Sequence, residues 1–215
     1  LENPAALVAG AEEISLAQGC LSREAGRICA QGNWRRTLGW NVTASARHFP
    51  LSLMQPLFQQ DIGLTGSMDA DVVARAPYAG TSSATIGLRL SPGSVRHPAR
   101  GEHQVQVDYD TASATLQAKQ GRAQSHLSVR LKNQGTLDAS LAFPLNLSGT
   151  TAPADASMQG DINASLHDLS PLALFFPQLY QTRGRLDASW QVRGTLQRPR
   201  LSGQLTPKDG AADIP

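Results

Sequence analysis

The chain has 215 residues, a formal net charge of +2, and 17% charged residues. The Arg residues are scattered, so there is no basic stripe to mark a nucleic-acid partner. Hydrophobic residues make up 40% and aromatics only 5%, which suits a thin interior of Leu, Ala and Val in one large β domain or two small ones. The chain opens at Leu1 without a Met and stops at Pro215 inside a continuing pattern, so it is expected to be a piece of a longer protein. No stretch nears the ~18 apolar residues of a membrane span, and no signal peptide is visible in the piece.

In chain order, the first feature is residues 14–34, ISLAQGCLSREAGRICAQGNW. Folded about Glu24–Ala25, this stretch sets Cys20 opposite Cys29 and Leu21 opposite Ile28, with Arg23–Gly26 as a four-residue loop. Cysteines directly opposite on antiparallel strands are within disulfide reach, which predicts a Cys20–Cys29 bond and an oxidising compartment such as the bacterial periplasm. A zinc site would need further ligands, and this stretch has neither a His nor a third Cys.

From there on, apolar and polar residues alternate with a period of two. Trp40, Val42, Ala44 and Ala46 form one apolar row, and Met68, Ala70, Val72 and Ala74 the next. Ile86, Leu88 and Leu90 follow, then Val105, Val107 and Tyr109, then Leu127, Val129 and Leu131. A long run holds Leu137, Ala139, Leu141, Phe143, Leu145 and Leu147 around Pro144. Ile162 and Leu166 precede the clearest case, 184–196 (GRLDASWQVRGTL), where Leu186, Ala188, Trp190 and Val192 face one way and Arg185, Asp187, Ser189 and Gln191 the other. Gly- or Pro-containing breaks separate most of the runs, so the chain reads as all-β and antiparallel.

Two stretches do not alternate: 50–59, PLSLMQPLFQ, and 171–180, PLALFFPQLY. Each opens with Pro and reads as a very short helix ended or kinked by its second Pro. Each is flanked by alternating strands, giving a weak internal repeat of 40–77 in 161–199, offset by 118 between Gly66 and Gly184. With no Gly/Ser/Pro-rich linker, the chain is expected to form a single continuous β domain over 1–215.

A sheet with one apolar face must cover it, and long helices are missing. The sheet therefore folds over as a sandwich, closes as a barrel, or curls into a trough whose lining stays accessible. An outer-membrane barrel would need aromatic girdles, which three Trp, three Tyr and five Phe, scattered, do not make. The candidate lining is Val42, Ala44, Met68, Ala70, Val72, Ile86, Leu88, Val105, Val107, Leu127, Val129, Leu137, Leu141, Ile162, Leu166, Leu186, Trp190 and Val192. The alternative for each is ordinary packing inside a closed sandwich.

Little else looks like chemistry. His97 and His103, with Glu102, are expected in a solvated loop, and no metal site is expected. Asp69/Asp71 and Asp108/Asp110 are carboxylate pairs on polar strand parity, a solvated arrangement. No nucleophile elbow, His-Glu-x-x-His or phosphate loop appears, so neither an enzyme nor a bound cofactor is expected.

Residues 169–205 carry a specific signature. It runs from Pro171 and Leu172 through Gly184, Leu186 and Ala188 to Gly194, Thr195, Leu196, Pro199, Leu201, Gly203 and Leu205, then Asp209 and Gly210. This pattern resembles the TamB family of Gram-negative envelope proteins. The copy at 50–70 is looser, and 80–165 matches in alternation alone. Pro207 departs from the pattern, so the strand from Leu201 should stop early there or lie on an edge. The resemblance implies a β-taco, one long curled antiparallel sheet with a hydrophobic groove. It also implies a periplasmic location in an inner-membrane-anchored protein and a TamA-type outer-membrane partner reached through another part of that protein. Phospholipid transport to the outer membrane and autotransporter assembly are the implied roles, with phospholipid acyl chains or hydrophobic protein segments in the groove. Alternatives are a chaperone-like β-augmentation module for outer-membrane strands and a structural β-solenoid spacer.

Overall fold

Alternation becomes strand wherever a period-two run meets a turn residue at each end. The computed structural model describes residues 5–57, 62–98, 104–147, 156–169 and 180–213. They form β1 (Leu7–Ala9), β2 (Glu13–Arg23), β3 (Gly26–Arg35), β4 (Gly39–Pro50), a 3₁₀ helix (Leu51–Leu57), β5 (Gly63–Leu64), β6 (Ser67–Pro77), β7 (Ser83–Leu90), β8 (Gly93–Pro98), β9 (Gln104–Lys119), β10 (Arg122–Leu131), β11 (Gly135–Pro144), β12 (Ser157–Leu166), β13 (Tyr180–Thr195) and β14 (Pro199–Asp213). The 3₁₀ helix falls within the stretch expected to be helical at 50–59. The one expected near 171–180 lies almost wholly outside the described residues.

All these strands belong to a single antiparallel sheet. Its path is β1-β2-β3-β4-β6-β7-β9-β10-β11-β12-β13-β14, with β5 and β8 set to the side. The ends β1 and β14 do not pair, so the sheet is curled but not closed. At the usual strand spacing the path is about 50 Å long. β14 runs straight through Pro207, and an edge position accommodates the missing donor.

Bulges keep the apolar residues on one face. In β2, Ala17 and Gln18 oppose one residue of β3, between the pairs Leu16–Gly32 and Gly19–Ala30. In β4, Arg47 and His48 oppose Asp69, and His48 takes a φ of 47°. In β9, Asp110 is the extra residue between the pairs Tyr109–Leu131 and Thr111–Arg130. Each extra residue reverses strand parity, so Tyr109 and Ala112 point the same way although one number is odd and the other even.

The sheet is also creased. β5 and β6 are one line of chain broken at Thr65–Gly66, and β7 and β8 are another broken at Ser91–Pro92. Both breaks lie level with the β9 bulge, because Gly93 pairs with Tyr109. The Tyr109 hydroxyl crosses the crease to donate to the Thr65 carbonyl at 2.9 Å.

Two expectations change here. His97 and Pro98 were expected in a loop but belong to β8, whose single strongly apolar residue, Val95, left no alternation to read. The long run through Leu147 does not continue as strand. β11 ends at Pro144, the Leu145 N–H bonds to the Gly121 carbonyl at 3.0 Å, and Leu145 and Leu147 pack against Ala84, Ala118 and Ala123.

Candidate functional site: an apolar trough

Directly opposed residues in an antiparallel pair share a face, so the register traces each apolar row across the sheet. One row runs Ile28, Ala46, Ala70, Leu88, Ala114, Leu127, Ala139, Ile162, Trp190 and Gly203. The next holds Ala44, Val72, Ile86, Leu116, Ser125, Leu141, Gly160 and Val192. A third holds Met68, Leu90, Ala112, Val129, Leu137, Ala164 and Ala188. Val42 lies in a row with Ala74, Ala84, Ala118 and Ala123. Leu166 and Leu186 are paired across β12 and β13, and Val107 lies two residues from Tyr109 on its face.

Seventeen of the eighteen residues named from the sequence thus share one face; Val105 lies in β9 opposite His97, with its side chain outside the described set. Val107, Leu166, Leu186 and Val192 are buried, and Val42, Ile86 and Leu127 are exposed at 41%, 37% and 38%. Among the described residues no side chain is both large and fully buried. The face is curved and apolar, and among the described residues it is only partly buried.

Sequence reasoning missed much of the lining. Ala112, Ala114, Leu116 and Ala118 occupy the second half of β9, where Ala gives little alternation and the bulge reverses the parity set by Tyr109. Leu21 and Ile28 pair across the disulfide hairpin on the same face. Two glycines, Gly203 of the signature and Gly160 of β12, have a steric reason. A Cβ on Gly203 would sit 2.4 Å from Trp190 Cδ1, and one on Gly160 2.2 Å from the Ser140 carbonyl. Only a bare backbone lets the indole and the neighbouring strand approach so closely.

The opposite face is polar. The Cys20–Cys29 disulfide is present and lies on this side, in the row of Ser45 and Asp71. Its hairpin turns through Glu24–Ala25 alone, because Arg23 still pairs with Gly26 and shortens the expected loop. Asp71 pairs with Arg47, whose guanidinium is held further above its ordinary value by that hydrogen bond. Asp69 accepts from the His48 backbone N–H at 2.7 Å and so holds the β4 bulge. Asp187 accepts from Ser165 Oγ at 2.8 Å and from Lys208 at 3.3 Å, and these bonds, Ser165 first, hold its carboxyl below the ordinary range. Asp108 accepts from Gln106 at 2.8 Å. These groups lie on the face opposite the apolar rows, where Arg47–Asp71, His48–Asp69 and Ser165–Asp187–Lys208 bridge neighbouring strands and Gln106–Asp108 lies along β9. Among the described residues no three His, Cys, Asp or Glu side chains converge as metal ligands, and no helix is long and apolar enough to cross a membrane.

The described strands therefore present a continuous apolar face along a curved sheet, with the ionisable groups named above on its other side. The sequence profile of one family, described as TamB, N-terminal domain, matches residues 2–206. No curated protein and no solved structure matches the chain.

Proposed function

Because the chain belongs to the TamB family, inner-membrane-anchored periplasmic proteins of an envelope transport and assembly module, we propose that its trough shelters the acyl chains of phospholipids on their way to the outer membrane. The observation that supports this reading is the unbroken apolar face across twelve neighbouring strands, with Ile86 and Leu127 still open to solvent at its centre. A guest must hide hydrocarbon worth about 0.8 kcal/mol per CH₂, so on the order of 12 kcal/mol for a sixteen-carbon chain. A lining of Leu, Val and Ala supplies that shelter without a closed pocket. Each step along the trough exchanges one such contact for a similar one, so barriers to movement stay small. The headgroup remains at the open mouth. A TamA-type partner in the outer membrane is reached through another part of the full-length protein.

The test is a photoreactive residue at Leu88 or Val129, paired with mass spectrometry of lipids extracted from the purified chain. Leu88→Arg together with Leu127→Arg should abolish lipid crosslinking at Val129 while the β circular-dichroism signal is kept. Crosslinking that persists unchanged, or an extract free of lipid, counts against the trough. A second reading rests on β14. As an edge strand with Leu201 and Leu205 exposed, at 64% and 53%, it offers a backbone edge for an incoming outer-membrane strand. Deuterium protection appearing along β14 upon adding an unfolded barrel segment would favour it. A purely structural spacer is less well supported, because a spacer gains nothing from an open apolar face.

A further inference from the structure

The chain has three Trp and three Tyr, and half of them meet at one corner of the sheet. Trp34 lies directly across from Trp40, with Ile14 beside Trp34 and Ala76 beside Trp40, all on the apolar face. Just beyond, the turn between β3 and β4 presents Leu38 and the turn after β6 presents Tyr78. They are adjacent, because the Tyr78 N–H donates to the Leu38 carbonyl at 3.1 Å. They are also among the most exposed large apolar side chains described, at 62% and 79%. Gly39 permits this closeness: it takes a φ of 91°, and a Cβ there would sit 2.0 Å from the Ala76 carbonyl.

The surroundings are basic and polar. A hollow of about 590 Å³ beside Leu38 and Trp40 is lined by Asn33, Asn41, Arg35 and Arg75. Arg35 pairs with Glu13 at 3.0 Å and Arg36 with Glu12 at 2.9 Å, while Arg75 donates to the Ser83 hydroxyl at 3.1 Å and has no carboxylate partner among the described residues. Three guanidinium groups thus face two carboxylates. Exposed apolar tips, half-buried indoles on the apolar face and Arg donors on the polar face of the same strand ends form the combination that a bilayer's headgroup zone accepts. From this corner the exposed lining residues Ile14, Leu16 and Val42 lead directly onto the trough face.

We propose that the corner built from the Arg36–Leu38 turn and the Tyr78 turn docks on an anionic phospholipid bilayer, seating Leu38 and Tyr78 among the headgroups. Docking itself is independent of what the trough carries; the corner's role as the place where lipid enters rests on the trough reading above. With only one guanidinium in excess, the bond is chiefly apolar insertion, and anionic lipid strengthens it modestly.

The experiment is flotation of the 215-residue chain with vesicles of phosphatidylethanolamine and a minority of phosphatidylglycerol. The double variant Leu38→Glu/Tyr78→Glu should lower the bound-to-free ratio by about tenfold or more. Leu196→Glu, at an exposed turn on the same side of the sheet but far along the path, should leave the ratio unchanged. Both variants sit on turn tips, and circular dichroism checks that the sheet is kept. A wild-type chain that does not float, a double variant that floats equally well, or an equal loss in Leu196→Glu overturns the proposal. So does a wild-type dimer that the double variant abolishes without vesicle binding, which would give the corner to a second copy. Lipid crosslinking at Val129 with unaffected flotation sinks the corner and spares the trough; flotation without crosslinking does the reverse.

Discussion

Tyr109 shows how one residue sets the shape of this sheet. It is 6% exposed, lies opposite Gly93 and spans the crease to the Thr65 carbonyl. The phenol has room because the crease is built with glycines: a Cβ on Gly66 or Gly93 would stand 2.9 or 2.6 Å from its hydroxyl. Burial pushes the phenol above its ordinary value. The folded value is thus the higher one, so the bond's contribution is whole below the ordinary phenol range and fades as pH rises past it. Tyr109→Phe should cost about 1 kcal/mol, the net worth of one hydrogen bond, read as a lower urea midpoint. An unchanged midpoint would mean that the crease is held by the β5–β8 ladder alone.

At the scale of elements, the β2–β3 hairpin and the bulges decide which way side chains point. The Ala17–Gln18 bulge sits three residues from Cys20, and the disulfide is on the face opposite the trough. It can therefore fix the hairpin's register without occupying lining space. Closing so short a loop is worth roughly 2.5–3 kcal/mol in the chain-entropy model. Cys20→Ser/Cys29→Ser should destabilise the hairpin by about that amount, with faster amide exchange in β2 and β3 and little change in β11–β13. Faster exchange spread evenly over the sheet would show that the bond acts on the whole structure. On the same principle Asp187, between Ser165 and Lys208, ties β12, β13 and β14 into one register from the solvent side.

For the whole molecule, the accessible surface is the telling quantity. It measures 14496 Å², whereas a compact protein of this mass would expose about 9,600 Å². The described strands form one sheet, which buries its inner face by curling, so among the described residues the apolar rows stay half-buried. Less surface is released on unfolding, and the urea m-value should fall about one-fifth below that of a compact protein of equal mass. An m-value at the compact figure would mean that the trough closes on itself in solution. The same openness lets Leu145 and Leu147 fold back onto the alanine row, one of the few places where the inner face is packed tightly.

Local rules were enough for the sequence to establish strands, their antiparallel order, the Cys20–Cys29 pairing and the common face of most of the apolar residues it named. Period-two alternation, turn glycines and a hairpin folded on itself involve near neighbours only. The signature from Gly184 to Leu205 added the family. What tertiary structure decided was non-local or silent in the pattern. Single-residue bulges at Ala17–Gln18, Arg47–His48 and Asp110 reverse parity without any compositional mark. The crease needs three breaks in separate strands to fall level, and the alanines of β9 show their face only through Leu88 and Leu127 on either side. Trp34, Trp40 and Tyr78 become neighbours only once β3, β4 and β6 pair. Whether an apolar face is covered depends on every other strand in the sheet, and the curl that leaves Val42, Ile86 and Leu127 exposed among the described residues is a property of the sheet as a whole.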